Sequence, residues 1–208
     1  GGDAMVSAGS TGALLTGATL LVKRVKGIRR AAMGPAMPNK AGGKTVIVDC
    51  GANAECTPEF LLQFGLVGSV YAKKQLGIEN PKVGLLNIGE EDTKGDLFAQ
   101  EAHRLLTEAV PAFAGNCEGG DLMAGDFDVG VTDGFTGNVC LKTIEGTAKF
   151  MSGMMKDMFK RNFLTKLAAR SIQFAVTFVL DTLIVWLLYR SKVFTATKLW
   201  PPVLREKK

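Results

Sequence analysis

The 208-residue sequence contains a single histidine, and this scarcity limits the chemistry that the chain can perform. His103 lies among Gln100, Glu101 and Arg104 on the polar side of a predicted helix, which is typical of a surface histidine. The sequence therefore offers almost no histidine that could activate a serine or cysteine nucleophile. We expect any reaction performed here to need no histidine base.

The cysteines are few, and they show neither a CxxC pair nor a neighbouring histidine, which excludes the common zinc and dithiol motifs. No signal peptide opens the sequence, so we expect reduced, cytosolic thiols that serve as small core residues. The four are Cys50, Cys56, Cys117 and Cys140.

The common nucleotide-binding, calcium-binding and hydrolase motifs are missing as well. SAGSTGA, which starts at Ser7, has only a GxxG spacing and matches neither the dinucleotide fingerprint nor a P-loop. DFDVGVTDG fails the EF-hand pattern because Gly130 and Val131 occupy positions that need oxygen ligands. There is no GxSxG elbow. We therefore expect neither a metal site nor a bound cofactor.

Most of the chain has no net charge. Residues 1–169 carry 18 basic and 18 acidic side chains, so the net charge of +5 arises entirely after Ala169. A neutral body with a basic end argues against nucleic-acid binding and favours an end that faces a membrane.

A repeated unit is present instead, in which an apolar strand is followed by a polar, glycine-rich loop and then a helix. Strands that alternate with helices predict a three-layer αβα fold with a largely parallel sheet. The predicted strands are Ala4–Val6, Thr45–Asp49, Val83–Ile88 and Phe127–Val131. Helices are predicted to about Lys26, from Pro58 (capped by Thr57) to about Leu76, over 96–109, and from about Val139 into the 160s.

The loops that follow the predicted strands share glycines and small polar residues. Right-handed crossovers bring the carboxyl ends of parallel strands to one edge of the sheet, where open α/β sheets bind ligands. The sequence therefore predicts that four loops converge on one site: SAGSTG, DCGAN, GEEDTKG and DGFTGN.

Three of these loops offer groups suited to an anion and to a reacting carbonyl. Gly9–Gly12 opens a helix, so its N–H groups suit a phosphate or a carbonyl oxygen. Lys94 brings a positive charge, and Asn138, at the predicted start of a helix, can hydrogen-bond an oxygen on which charge develops. Alternatively, Lys94 is a solvated loop lysine and Asn138 only caps its helix.

Other polar residues of these loops also have two interpretations. Glu90 or a neighbouring acid either orients Lys94 or faces solvent. Asn53 either binds substrate or caps a helix. Asp49 and Asp133 close their strands, and in one interpretation their carboxylates only accept hydrogen bonds from backbone amides.

The chain resembles one family, the bacterial phosphate acyltransferases of phospholipid synthesis (the PlsX family), in VSAGSTGA, VDCGANAEC with PEFLLQFG, VGLLNIGEEDTKG, FAGNCEGGD and DGFTGNVCLKTIEG. The motifs stand in order and cover residues 1–169. The resemblance implies transfer of a fatty acyl group from acyl carrier protein to inorganic phosphate. It also implies a homodimer and a fold related to phosphotransacetylases and isocitrate dehydrogenases.

The candidate site therefore combines two catalytic residues, Lys94 and Asn138, with a larger substrate-binding set. The expected partners are acyl carrier protein, phosphate, a second copy, and a membrane surface or a downstream glycerol-phosphate acyltransferase. The basic run KRVKGIRR, from Lys23 to Arg30, either docks the acidic carrier protein or compensates a helix dipole. The substrate-binding set is Ser7, Gly9, Ser10, Thr11, Gly12, Asn53, Glu90, Asp133, Gly134, Thr136 and Gly137.

The sequence departs from the family pattern in three places. The family's opening βαβ portion is missing before Gly1, so we expect a chain whose N-terminal part is absent. Ser10 stands where the family usually has an asparagine. After Ala169, an apolar tail replaces the family's closing loop.

The tail, residues 170–208, is predicted to form a membrane helix at about 171–189. It is mostly apolar, with Asp181 at its middle and with Trp186 and Tyr189 placed as interfacial anchors at one end. Such a tail would attach an otherwise cytoplasmic protein to a membrane. The alternative is mis-joined sequence that has no evolved role.

Two hypotheses of different class follow. In the first, the chain is an acyltransferase that forms acyl phosphate from the carrier-protein thioester. In the second, it is an inactive piece that acts as a membrane-attached interaction protein. Among enzymes, the alternative is a phosphotransacetylase-like protein that uses a coenzyme A thioester.

Overall fold

The described part of the chain, residues 7–160 and 163–190 of a computed structural model, contains five β-strands and six α-helices. The predicted strand at Ala4–Val6 lies outside it. The strands are β1 (Ala36–Pro38), β2 (Lys44–Val48), β3 (Val83–Leu86), β4 (Phe113–Cys117) and β5 (Val129–Val131). The helices are α1 (Thr11–Gly17, continued by a π-helical turn over Ala18–Val22), α2 (Pro58–Gln75), α3 (Leu97–Ala109), α4 (Gly119–Ala124), α5 (Gly134–Lys160) and α6 (Phe163–Arg190).

The sheet has the strand order β1-β2-β5-β3-β4, in which β1 is antiparallel to β2 and the other neighbouring pairs are parallel. The strands predicted at Thr45–Asp49, Val83–Ile88 and Phe127–Val131 are confirmed as β2, β3 and β5. The sequence pattern predicted neither β1 nor β4. The sheet is largely parallel, as the sequence predicts.

Helices cover both faces of the sheet, because strands this apolar cannot face water. On one face, Phe64 of α2 and Leu106 of α3 join a core with Val129. On the other, Leu122 of α4 joins a core with Ile47, against which the beginning of α5 packs. The three-layer αβα fold is confirmed.

Two helix boundaries differ from the prediction. The first helix ends at Val22, where Lys23 adopts a positive φ of 68°, and not at about Lys26. α5 begins at Gly134 and not at about Val139, because Asp133 satisfies the N–H groups of its first turn.

The described residues form two compact units that divide between Glu145 and Gly146. Most apolar side chains described in the second unit are exposed, including those of Met154 and Phe174. Among the residues searched, no helix is both long enough and apolar enough to cross a membrane. The side chains of 184–190, which include both predicted anchors, lie outside the described residues. The boundary predicted between 169 and 170 stays a prediction.

Candidate active site at the carboxyl edge of the sheet

A cleft of about 320 Å³ opens between the carboxyl ends of the neighbouring strands β3 and β5. Its walls come from both strand ends, from the first turns of α3 and α5, and from one leucine of α2. The lining residues are Leu61, Leu85, Leu86, Asn87, Ile88, Gly95, Asp96, Phe98, Ala99, Thr132, Asp133 and Thr136.

The topology of the sheet explains why a cleft forms at this place. The chain leaves β3 into α3, which packs on one face, and leaves β5 into α5, which packs on the other. Adjacent strands whose helices diverge to opposite faces leave a crevice at their carboxyl ends, the usual ligand site of open α/β sheets.

Side-chain amides donate hydrogen bonds to the carbonyl groups of the GEEDTKG loop, residues 89–95, and fix its backbone. Asn87 Nδ2 donates to the carbonyl oxygen of Lys94 at 3.1 Å. Gln100 Nε2 donates to the carbonyls of Thr93 and Gly95 at 2.9 and 3.1 Å. In the described structure the N–H groups of residues 89–93, 97 and 98 have no protein partner. The loop therefore presents unpaired amide donors beside the cleft.

Lys94 lies on the exposed side of this loop, next to Gly95, which lines the cleft. Its aliphatic stem crosses Gly89, where an added Cβ would lie 3.1 Å from Lys94 Cγ. Its Nζ is 3.7 Å from Glu91 Oε1, and both side chains are about half exposed or more, so the ion pair is weak. Glu90 is exposed. Of the loop's acids, Glu91 is the one that contacts the lysine.

The DGFTGN loop, residues 133–138, begins α5 with its own anionic cap. Asp133 Oδ1 accepts from the N–H groups of Phe135 and Thr136, both at 2.9 Å. The N–H of Gly134 donates to the carbonyl of Asn53, and that of Gly137 to the carbonyl of Asp133. The donors of this helix start are thus already occupied, whereas at the start of α3 the cap Asp96 accepts from the N–H of Ala99 and leaves those of Leu97 and Phe98 unpaired.

The DCGAN loop is organised around the fully buried carboxylate of Asp49. Its Oδ1 accepts from the N–H groups of Met33 and Ala52, and its Oδ2 from the backbone and side-chain N–H groups of Asn53. Asn53 Nδ2 also donates to the carbonyl of Ala31. Asn53 caps no helix and instead links three segments, and Asp49 binds backbone amides.

The amide of Asn138 is free in the described structure. Because α5 begins at Gly134, Asn138 lies in the second turn and does not cap the helix, which corrects its predicted position. Its side chain is exposed and lies against Gly51, where an added Cβ would be 3.5 Å from Asn138 Cγ. It therefore stands at the junction of the DCGAN and DGFTGN loops with its hydrogen-bonding capacity unused.

The SAGSTG loop does not join the other three among the contacts of the described residues. Ser7, Gly9, Ser10, Thr11 and Gly12 are exposed, and their hydrogen bonds stay within the loop and α1. Their assignment to the site stays a prediction. DCGAN and DGFTGN do contact each other, and DGFTGN and GEEDTKG share the cleft.

Two polar residues beneath the GEEDTKG loop were not predicted to belong to the site. The side chain of His103 is only 14% exposed, so its assignment as a surface histidine was wrong. Asn116, at the end of β4, is buried and donates to the carbonyl of Glu91. Helical periodicity placed His103 on the polar face, but it could not reveal that the loop folds back over that face.

The cysteines are all free thiols. Burial, helped by the charge of Asp49, raises the pKa of Cys50 to about 12, and burial likewise raises that of Cys117 to about 12. Burial also raises the pKa of Cys56 and of Cys140. Thiols kept protonated in this way are poor nucleophiles at neutral pH.

The basic run KRVKGIRR packs against α2 by backbone and ring contacts. Gln63 accepts from the N–H of Arg29 and donates to the carbonyl of Gly27. Arg30 lies over the ring of Phe60, 5.6 Å from its centroid. Lys23 and Lys26 are exposed. Part of the run is therefore structural, and part of its charge faces solvent.

Comparison with known proteins agrees with this architecture. A solved phosphotransacetylase from Streptococcus pyogenes superposes with a TM-score of 0.54 at 21% sequence identity, over 68% of this chain and 49% of that one. At this identity the likeness concerns the fold alone.

Sequence comparison is more specific. The chain is 50% identical to a phosphate acyltransferase of Geobacillus sp. (strain WCH70) over 167 residues, which are 80% of this chain and 51% of the relative. It is 49% identical to one of Acetivibrio thermocellus over 168 residues, 81% of this chain and 49% of that one. The chain thus spans about half the length of the curated relatives it matches.

A family model described as "Fatty acid synthesis protein" matches residues 1–177, which extends past the predicted boundary at 169. This match and the identities to phosphate acyltransferases confirm the resemblance seen in the motifs. The chain therefore belongs to the fatty acid synthesis protein family, the family of the bacterial phosphate acyltransferases.

Proposed function

We propose that this chain carries part of the active site of an enzyme that transfers a fatty acyl group from acyl carrier protein to inorganic phosphate. The observation that supports this most directly is the cleft between β3 and β5, which adjoins a loop that has unpaired N–H donors and carries Lys94. The names of the relatives supply the reaction class, acyl transfer to phosphate.

Phosphate binds at the β3 side of the cleft. The first N–H groups of α5 are already occupied by oxygens of Asp133 and Asn53 and are not free to bind an anion. At the start of α3 the cap Asp96 accepts from the N–H of Ala99, but those of Leu97 and Phe98 stay unpaired, and the preceding loop offers further donors. Helix starts and consecutive loop amides of this kind bind anions. Lys94 adds a full positive charge.

The bound phosphate attacks the thioester carbonyl directly. A phosphate oxygen forms a bond to the acyl carbon, the carbon–sulfur bond breaks, and the phosphate proton passes to the departing thiolate. Asn138 hydrogen-bonds the carbonyl oxygen on which negative charge develops. A thiol of pKa about 8.5 is a good leaving group, so this step needs no histidine acid. The buried, protonated cysteines are not expected to form an acyl-enzyme.

Apolar side chains around the cleft suit the acyl group. Ile88, Leu97 and Phe135 are 80%, 84% and 67% exposed although each lies beside the cleft or in its loops. Exposed apolar residues around a polar site often contact ligand. The exposed lysines of KRVKGIRR provide positive charge for an acidic carrier protein.

The test is product formation by the completed enzyme, which is this chain joined to the preceding and following segments of the Geobacillus relative. We expect ³¹P NMR to show acyl phosphate from acyl-carrier-protein thioester and phosphate, and none when phosphate is omitted. Acyl phosphate from coenzyme A thioesters alone would instead support the phosphotransacetylase-like alternative. Absence of product from both donors would contradict the proposed reaction.

A further inference from the structure

Two buried polar atoms lack hydrogen-bond partners in the described residues, and both belong to residues that reach the GEEDTKG loop. They are Nε2 of His103, which is the only histidine of the chain, and Oδ1 of Asn116. Buried polar groups are rarely left unsatisfied without a reason, because desolvation is costly. Both residues also contact the proposed phosphate loop, His103 at Asp92 and Asn116, through Nδ2, at Glu91.

His103 approaches the loop from α3. Its Nε2 lies 3.3 Å from Asp92 Oδ1, but the geometry falls short of a hydrogen bond. The side chain of Asp92 is 82% exposed, so a small rotation can complete the bond without disturbing the core. The imidazole ring stands edge-on to Phe113, with centroids 5.1 Å apart, and this packing fixes its direction.

Asn116 approaches the same turn from β4. Its Nδ2 donates to the carbonyl of Glu91 at 2.7 Å. The residue is 4% exposed and lies in the sheet, so it gives a rigid support. A strand thus binds the backbone of Glu91, and a helix brings its imidazole within 3.3 Å of the next residue, Asp92, immediately before Thr93 and Lys94.

We propose that His103 and Asn116 are positioning residues that fix the Glu91–Asp92 turn and thereby set the place of Lys94 and of the loop N–H donors. Asn116 holds the backbone of the turn, and His103 holds it through the side chain of Asp92. Neither residue touches the reacting atoms. The effect on catalysis rests on the proposed function, whereas the effect on the loop does not.

The test uses three single variants and one double variant that separate hydrogen bonding from packing. His103→Phe keeps a ring against Phe113 but cannot donate to Asp92, whereas His103→Gln keeps a donor at a similar reach. Asp92→Ala removes the acceptor from an exposed position. We expect amide hydrogen exchange at Lys94, whose N–H donates to the carbonyl of Glu91 across the turn at 3.0 Å, to become about tenfold faster in the 208-residue His103→Phe and Asp92→Ala variants. His103→Gln should restore slow exchange, and the double variant His103→Phe/Asp92→Ala should exchange no faster than either single variant.

A second readout concerns catalysis in the completed enzyme. We expect His103→Phe to raise the KM for phosphate roughly tenfold with little change in kcat, because the phosphate-binding loop is loosened. Faster exchange in His103→Phe together with slow exchange in His103→Gln supports the positioning role. If neither the parent nor any variant makes acyl phosphate, that absence of product overturns only the proposed function. Unchanged exchange in His103→Phe, or equal acceleration in His103→Gln, would overturn the positioning role.

Discussion

Replacing Lys94 by methionine in the completed enzyme is expected to lower kcat/KM for phosphate in acyl-phosphate formation by ~10²–10³, the usual cost of losing one preorganised charge-stabilising donor. Methionine keeps the length of the stem that crosses Gly89 but removes the positive charge. Folding should change little, because the ion pair with Glu91 is exposed and worth well under about 1 kcal/mol. The measurement compares kcat/KM for phosphate and the thermal midpoints of parent and variant.

The matched control for this prediction is Lys40→Met. Lys40 is an exposed lysine in the turn between β1 and β2, at the opposite edge of the parallel strands. It should keep parental turnover, because it loses the same charge far from the cleft. If Lys94→Met also keeps near-parental turnover, GEEDTKG is a solvated loop and the phosphate is held elsewhere.

The second large effect concerns stability. Gly137 lies where α5 crosses the DCGAN loop, and a Cβ at this position would overlap the carbonyl oxygen of Asp49 and press on Thr132. We expect Gly137→Ala to destabilise the chain by roughly 3 kcal/mol or more, because the obstructing atoms are backbone and cannot rotate away. In a chain of this length that is roughly 6–12 °C in thermal midpoint. Denaturant unfolding monitored by circular dichroism gives the free energy.

Gly146→Ala is the control within the same helix. A Cβ at Gly146 meets no atom within 4 Å, so alanine is expected to stabilise the helix by about 0.5–1 kcal/mol through propensity alone. Opposite signs for the two substitutions would show that the DCGAN and DGFTGN loops are packed as described. Equal effects at Gly137 and Gly146 would contradict that packing.

Much of the fold could be predicted because its signals are local. The apolar runs of β2, β3 and β5 stand beside glycine-rich loops, and their parallel pairing places those loops at one edge. β4 was missed because Gly115 and Asn116 interrupt its apolar pattern, and its pairing with β3 is a tertiary contact. Such a strand is specified by its neighbours more than by its own residues.

Some residues of the candidate site could likewise be predicted from the local sequence, and others depend on contacts with distant segments. Lys94 and the GEEDTKG loop are conspicuous in the sequence because charge follows an apolar strand. The capping role of Asp133 could not be separated from ligand binding, since both uses favour an acid before a helix. His103 was misjudged because its burial comes from Asp92 and Phe113, which approach from other segments of the chain.

The resonances of glycine amides can report where the phosphate binds. The chain has 25 glycines, which include Gly89 and Gly95 in the GEEDTKG loop. They also include Gly42 and Gly43 in the turn between β1 and β2, at the end of the parallel strands that is opposite to the cleft. With ¹⁵N-glycine labelling, we expect phosphate to shift the Gly89 and Gly95 resonances saturably in the parent and not in Lys94→Met. Gly42 and Gly43 should stay unchanged throughout. Saturable shifts confined to glycines outside residues 89–95, or shifts at Gly89 that persist in Lys94→Met, would contradict the account.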